Sequence, residues 1–339
     1  MKTHHDGNTS KGRKIDDKIV GSLLGLAIGD ALGYPHEFRT VEQVQREIGP
    51  EGLRAFVALK DPRFSRPIIL GPEHPPGTYT DDTQMSLAVA EALVVAGHDE
   101  RDALMSAMSE RFVEWYFSDD NNRSPGAATG TACTALRDGV PWRESGVKDS
   151  KGCGANMRVA PIGLFYDDLD DVADVARDCA RITHGHPCGT EGAAAAALAV
   201  ALALRGATPA EMHTTIARHI TGRAMALEAL WSRIPYLLEA NPHQVLVPLE
   251  KNPAGLGESW VAEEAIASAM FCFWRHPDDF LACVVEAANT DGDSDSIACI
   301  AGGIVGARVG RGGLPASFVS EVENAAGIID LGRRLARAR

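Results

Sequence analysis

Cysteine pairs spaced as C-x-x-C are absent from this chain, and its seven cysteines are an odd number. Several, such as Cys272 and Cys283, lie in apolar helical runs. That is the usage of a reducing cytosol, where cysteine serves as a small core residue rather than a staple. Positive charge is also scarce. A formal net charge of −13 disfavours a nonspecific grip on nucleic acid or on an anionic membrane, which needs clustered Lys and Arg. The apolar run from Gly192 to Leu204 is Ala-rich and falls short of the about 20 residues that span a bilayer. Lys11, Arg13 and Lys14 ahead of the stretch Ile19 to Gly29 loosely imitate a secretory signal. Asp16 and Asp17 interrupt the basic region, and Asp30 follows the stretch directly, so a cleaved signal is not expected. The expectation is a cytoplasmic protein. Neither G-x-S-x-G nor G-x-x-x-x-G-K-[ST] occurs, which removes two familiar routes to acyl and phosphoryl transfer.

Alternating period-two runs are few and short, with Leu53 to Leu59 and Val245 to Leu249 the best. Helical spacing dominates instead. Apolar residues at three- and four-residue intervals predict fourteen helices, among them 15–33, 83–97, 155–167, 190–205, 295–309 and 316–337. A hydrophobic content of 45% across 339 residues is enough for a large core, and no linker or fixed-period repeat divides the chain. Residues 1–16 are polar and read as a disordered tail, leaving 17–339 as one all-α domain. The Ala and Gly abundance of 190–205 and 298–307 implies helices whose axes approach closely.

Two acidic clusters stand out: Thr80-Asp81-Asp82-Thr83 and Asp291-Gly292-Asp293-Ser294-Asp295-Ser296. Each runs straight into an Ala-rich helix. Carboxylates at a helix start complement its exposed N–H groups, so two ordinary caps are one reading. The other is that the fold joins them. Four converging carboxylates would then need cations, because buried like charges must neutralise or bind metal. An all-oxygen set suits Mg²⁺, Mn²⁺ or Ca²⁺ rather than Zn²⁺ or copper.

Other segments are weaker on their own. Pro125-Gly126-Ala127-Ala128-Thr129 leads into a helix and can offer N–H groups to a phosphate, or can simply be a helix entry. Gly152-Cys153-Gly154-Ala155-Asn156-Met157-Arg158 carries an arginine able to grip an anion or to sit in a structural ion pair. Thr183-His184-Gly185-His186-Pro187 lacks a third nitrogen or sulfur ligand nearby, so a polar contact or a helix C-terminal cap fits better than zinc. Glu37 lies in a Pro-containing loop, and Trp260 suits either base stacking or a core.

Taken in this order, these segments resemble the ADP-ribosylglycohydrolase family, which includes dinitrogenase reductase-activating glycohydrolases and ADP-ribosylarginine hydrolases. The matching stretches are Gly25 to Gly33 with Glu37-Phe38, Thr80 to Thr83, Pro125-Gly126, Asn156 to Pro161, Thr183-His184 with His186-Pro187, and Asp291 to Ala307. The resemblance implies an all-α, single-domain orthogonal helical bundle with a binuclear magnesium cleft, manganese being an alternative. By position, Thr80, Asp81, Asp82, Asp293, Asp295 and Ser296 would be the metal ligands. Glu37 would sit at the mouth beside the distal ribose, acting in catalysis with Asp81 and Asp82. Gly126, Ala127, Ala128 and Thr129 would hold the pyrophosphate, and Asn156, Met157, Arg158, His184 and Trp260 would line the ADP-ribose groove. Two departures from the family pattern are the extra acid Asp291 before Gly292 and Ser296 in place of the usual final Thr. The implied activity is hydrolysis of ADP-ribose from a modified protein, with ADP-ribosylarginine expected. ADP-ribosylserine, ADP-ribosylated nucleic acid and O-acetyl-ADP-ribose are the alternatives. The resemblance also allows an immunity protein that opposes a cognate ADP-ribosyltransferase toxin by reversal or occlusion, with the tail as an occluding arm, and a crystallin-like structural role.

Overall fold

The computed structural model describes residues 6–37, 39–58, 74–123 and 125–339, with side chains from Lys14 onward. Among the described residues seventeen α-helices follow one another: α1 (Asp6–Gly33), α2 (Val41–Ile48), α3 (Asp81–Ala96), α4 (Arg101–Tyr116), α5 (Ala127–Arg137), α6 (Trp142–Ser145), α7 (Ala160–Phe165), α8 (Leu169–Arg181) and α9 (Pro187–Leu204). Then come α10 (Pro209–Ile220), α11 (Met225–Leu237), α12 (Pro242–Val245), α13 (Ala262–Arg275), α14 (Phe280–Ala288), α15 (Ser294–Val309), α16 (Ala316–Glu321) and α17 (Ala325–Ala338). Among the described residues there is no strand, only the isolated bridges Val147–His184 and Gly152–Val261. Both period-two runs fail as strands: Val245 ends a helical turn, and residues 53–58 are irregular.

Boundaries moved where local chemistry overrides the apolar pattern. Helix α1 begins at Asp6 rather than at residue 15, so residues 6–16 are helical and not a disordered tail; residues 1–5 lie outside the described residues. Pro161 at the first turn of α7 fixes its start, because proline suits a position whose N–H needs no partner. The expected helix 155–167 therefore shrinks to a short turn at 153–155 and α7. Asn324 adopts φ 52° and breaks 316–337 into α16 and α17.

Helices α1 and α15 run antiparallel and all but touch. Gly25 faces Gly302 and Gly29 faces Ala298, so closely that a Cβ on Gly29 would lie 1.9 Å from the Ala298 carbonyl oxygen. The glycines bring the two backbones to a separation that no larger residue would allow. This contact sets the C-terminal end of α1 beside the N-terminal end of α15. Helix α9 crosses the centre, apolar on every side. Its length and composition would suit a membrane span, but 94% of that window is buried within the protein, so it is a core helix. Arg177 on α8 ties to it through a buried ion pair with Glu191 at 2.8–3.0 Å. One continuous hydrophobic cluster reaches from Ile19 on α1 to Leu335 on α17.

Candidate active site

Asp30, fully buried near the end of α1, organises the site. Its carboxylate accepts the backbone N–H groups of Thr80 and Thr83 at 3.0 Å and their hydroxyls at 2.9 and 2.6 Å. Four donors on one carboxylate pin the first turn of α3 against α1. Thr80 also caps α3 by accepting from Asp82 N at 3.2 Å. On the other side, Gly292 takes φ +88° where a Cβ would meet the Glu258 carbonyl oxygen at 2.4 Å. That turn launches α15, and Asp293 N donates to Glu258 O at 3.0 Å. The extra acid Asp291 is used elsewhere: it accepts from Val41 N and pairs with Lys251, each at 3.0 Å.

The two acidic motifs meet. Asp81, Asp82, Asp293, Asp295 and Ser296 line one cavity of about 330 Å³, with Glu37 at its border. Gly126, Ala127, Ala128 and Thr129 line it too, where α5 begins without any side-chain cap. Uncapped N–H groups and the positive end of the helix dipole favour an anion there. Met157, His184 and Trp260 complete the expected lining. Thr80, Asn156 and Arg158 do not belong to it.

Arg158 corrects the sequence reading. It is fully buried, donates to Gly154 O, Cys179 O and Thr183 Oγ1 at 2.8–3.1 Å, and lies over the Phe112 ring at 4.6 Å. Its two terminal nitrogens are engaged and Nε, though without a partner, is sealed inside the core, so it is a core strut and not a phosphate ligand. Asn156 is buried too: its Nδ2 donates to Ala262 O at 2.7 Å, while Oδ1 has no hydrogen-bond partner. His186 caps the start of α9, accepting from Cys188 N at 3.0 Å, and not a helix C-terminus.

Burial and mutual repulsion dominate the electrostatics. Desolvation, then the charges of Asp295 and Asp30, raise the Asp81 carboxyl to about 8. Burial followed by Asp295 raises Asp30 to about 7. Asp82 and Asp293 are pushed well above the carboxylate range, by burial first and by Asp295 next. Oδ2 of Asp82, a 4% exposed residue, has no hydrogen-bond partner. A protein alone cannot keep these acids ionised together; a cation can. Among the described residues no group of three or more His, Cys, Asp and Glu side chains is gathered closely enough to hold an ion as it stands. The donors converge on the cavity without closing on a point. Across it, burial and the nearby Arg158 charge depress His184 to about 3, leaving a neutral imidazole. Its Nδ1 stands 2.7 Å from Thr183 Oγ1. That oxygen accepts from Arg158 Nη2, and in the tautomer where its hydroxyl donates to Nδ1 the ring proton sits on Nε2.

The residues that escaped the sequence reading include Asp30, Arg123 and Cys153; Ser150, Gly152 and Gly154 line the cavity as well. An isolated acid ending an otherwise apolar helix was the available signal for Asp30. Arg123 donates to Tyr79 O and forks onto Glu323 at 2.6–2.8 Å. The Cys153 thiol donates to Asp293 Oδ2 at 2.8 Å; burial, then the Asp293 charge, holds it well above its usual range and keeps it protonated.

The chain matches the ADP-ribosylglycohydrolase family over residues 11–339. It is 29% identical to ADP-ribosylhydrolase ARH3 of Gallus gallus, covering 93% of this chain and 91% of that protein. It is 26% identical to the ADP-ribosylarginine hydrolase Tri1 of Pseudomonas putida, covering 90% of this chain and 74% of that protein. Among solved structures, an ADP-ribosylglycohydrolase-related protein complex superposes with a TM-score of 0.74 at 27% identity, covering 96% of this chain and 99% of that chain.

Proposed function

The chain belongs to the ADP-ribosylglycohydrolase family, and from that premise we propose that it is a metal-dependent hydrolase that frees ADP-ribose from modified arginine side chains. The coarser activity, removal of ADP-ribose, follows from the family. The arginine linkage is supported by similarity to a protein named as an ADP-ribosylarginine hydrolase. The observation that carries the reading is the convergence of four buried carboxylates, from two motifs over two hundred residues apart, on one cavity that also holds an uncapped helix start.

These residues fit a pair of hard divalent cations, Mg²⁺ or Mn²⁺. The donors are oxygens, they repel one another without a counter-charge, and Asp82 Oδ2 is unsatisfied. Asp81, Asp82, Asp293, Asp295 and Ser296 would hold them. Thr80 would add the lone pair left after its bonds to Asp30 and Asp82 N. When bound, such ions orient ribose hydroxyls and lower the pKa of a water toward neutrality.

The protein's own groups account for the rest. The α5 N–H groups take the pyrophosphate, which explains how an acidic chain binds an anionic substrate. His184, neutral, offers Nε2–H to a substrate oxygen without adding charge. Glu37 faces the distal ribose at the cavity border. Attack by water at C1″ forms a C–O bond and breaks the C1″–N bond to the guanidine. Asp81 or Asp82 takes the proton from water and passes it to the departing nitrogen, and the carboxylates offset the oxocarbenium-like charge between these events. A purely structural role gives no reason to bury four acids together. The modified target of an ADP-ribosyltransferase toxin is one substrate this chemistry would suit. The test is incubation with ADP-ribosyl-arginine and ADP-ribosyl-serine peptides, with Mg²⁺ and with chelator. Release from arginine only in Mg²⁺ supports the reading; release from serine alone reassigns the linkage, and no release from either defeats it.

A further inference from the structure

Asp291, the acid by which this chain departs from the family pattern, does not line the cavity. Gly292, at φ +88°, turns the backbone between Asp291 and Asp293, so the two carboxylates serve different ends. The Asp291 side chain is buried and accepts two donors, Val41 N on Oδ1 and Lys251 Nζ on Oδ2, each at 3.0 Å. Val41 is the first residue of α2, and the segment ahead of it carries Glu37. Lys251 lies on the connection that goes on to Trp260. One carboxylate therefore joins two flanks of the cavity. Its neighbours grip the same stretch of chain. Ser294 Oγ donates to Gly33 O at 3.1 Å. Asn289 accepts from Leu53 N at 2.7 Å and donates to Leu53 O at 2.9 Å. The run 289–294 thus holds the chain from Gly33 to Leu53 at three points, two of which bracket Glu37, four residues before it and four after. The same run carries Asp293 and leads into Asp295. A charged acceptor makes the tether at Val41 the stronger kind of hydrogen bond.

We propose that Asp291 is a positioning residue for Glu37: by fixing the start of α2 to the run that carries Asp293, it sets where Glu37 stands relative to the acidic site. The inference rests on the hydrolase reading above and adds to it the residue that keeps two parts of the cavity in register. Asp291 makes and breaks no bond in the substrate. Its loss lets Glu37 drift from the distal ribose while the cavity acids stay in place.

The bond between Val41 and Asp291 can be removed from either end. Asp291→Ala deletes the acceptor. Val41→Pro deletes the donor without touching the acidic motif, and it serves alone if the alanine variant misfolds. Proline suits the first position of a helix, and Thr40 ahead of it already has the extended backbone, φ −89° and ψ 153°, that a following proline requires. Hydrolysis of ADP-ribosylated peptides in Mg²⁺ is measured for both variants of the full-length protein, in the wild-type and in the Glu37→Gln background. Single-turnover rates at excess enzyme keep the slow combinations measurable. In the wild-type background each change is expected to lower kcat about tenfold or more, short of the about hundredfold that a displacement of about 1 Å can cost. KM and the Mg²⁺ affinity from calorimetric titration should hardly move. In the Glu37→Gln background neither change should lower the rate further, because the group it misplaces is already gone. Equal fold losses in the two backgrounds, or full activity in Val41→Pro, overturn the proposal. A hydrolysing wild type with such additive losses sinks this inference and leaves the hydrolase standing. A wild type that hydrolyses none of the peptides defeats the hydrolase reading, and this inference with it.

Discussion

Gly302→Ala and Gly303→Ala differ by one position on α15, yet the structure assigns them opposite outcomes. A methyl on Gly302 would lie 2.2 Å from the Gly25 carbonyl oxygen and 2.9 Å from its carbon. Ordinary contact begins at 3.4 Å, and the obstacle is backbone, so no rotamer change relieves it. The two helices must part by about 1 Å. Overpacking of this kind costs about 1–3 kcal/mol, and a rigid obstacle puts this site at the upper end. Alanine recovers about 1 kcal/mol of helix propensity, so the net loss is about 2 kcal/mol. At Gly303 the nearest atoms to the methyl are Leu26 Cβ at 3.5 Å and Ala160 Cβ at 3.6 Å. There the propensity gain is uncontested, and stability should rise by up to about 1 kcal/mol. With an unfolding entropy of about 0.7 kcal/mol/K for a chain this long, the two variants should melt about 4 °C apart. Helix α1 carries Asp30 and α15 carries Asp293 and Asp295, so parting them should also weaken cation binding in Gly302→Ala. Differential scanning calorimetry reads the first effect and Mg²⁺ titration the second. Equal melting temperatures for the two variants would refute the claim that the α1–α15 contact is closed to a single methyl.

Glu37→Gln should lower turnover while the melting temperature hardly moves, since surface changes stay within about 0.5 kcal/mol; unchanged turnover removes Glu37 from the reaction. Arg158→Met should cost about 3 kcal/mol or more, because three carbonyl and hydroxyl acceptors lose a charged donor, and a variant as stable as wild type would show those bonds to be idle. The metal-stripped protein should lose stability as pH climbs from about 4 towards 8. Asp30 and Asp81 carry folded values of about 7 and 8 against an ordinary 3.8, so the unfolded chain releases their protons first across that window. Saturating Mg²⁺ should flatten this slope, and a chelated protein whose stability rises with pH would contradict the repulsion described here. Mg²⁺ at a hundredfold excess over its dissociation constant should stabilise by about 2.7 kcal/mol, read as a melting shift that a chelator reverses.

The helical fold was legible because apolar spacing at three and four residues is a direct consequence of burying one helix face. The acidic motifs were legible because clustered charge at a helix start is visible without knowing what it faces. Burial is what a sequence does not display. Arg158 reads as a cation available to a phosphate until Cys179 O, Thr183 and Phe112 are seen to enclose it. Asp30 reads as the polar end of an apolar helix, while its partners Thr80 and Thr83 lie fifty residues on. Cys153 reads as a small residue between two glycines, and only the turn at 153–155 shows it directed toward Asp293. Asn324 is a backbone effect: a left-handed residue splits a helix whose apolar pattern continues across it. The Asp6 start of α1 went the other way, helix extending into a segment too polar to announce it.

The central claim is that Asp81, Asp82, Asp293 and Asp295 act together as one cation-binding hydrolytic site. Calorimetric titration of Mg²⁺ into metal-stripped protein, wild type beside Asp295→Asn, tests it most directly. Asparagine keeps the shape and removes one negative charge. The account predicts saturable Mg²⁺ binding by the wild type, and at least tenfold weaker binding by the variant, about the least that disturbing a metal ligand's surroundings costs. Absence of binding by the wild type, or equal binding by the two, would reduce these motifs to helix caps and contradict the account.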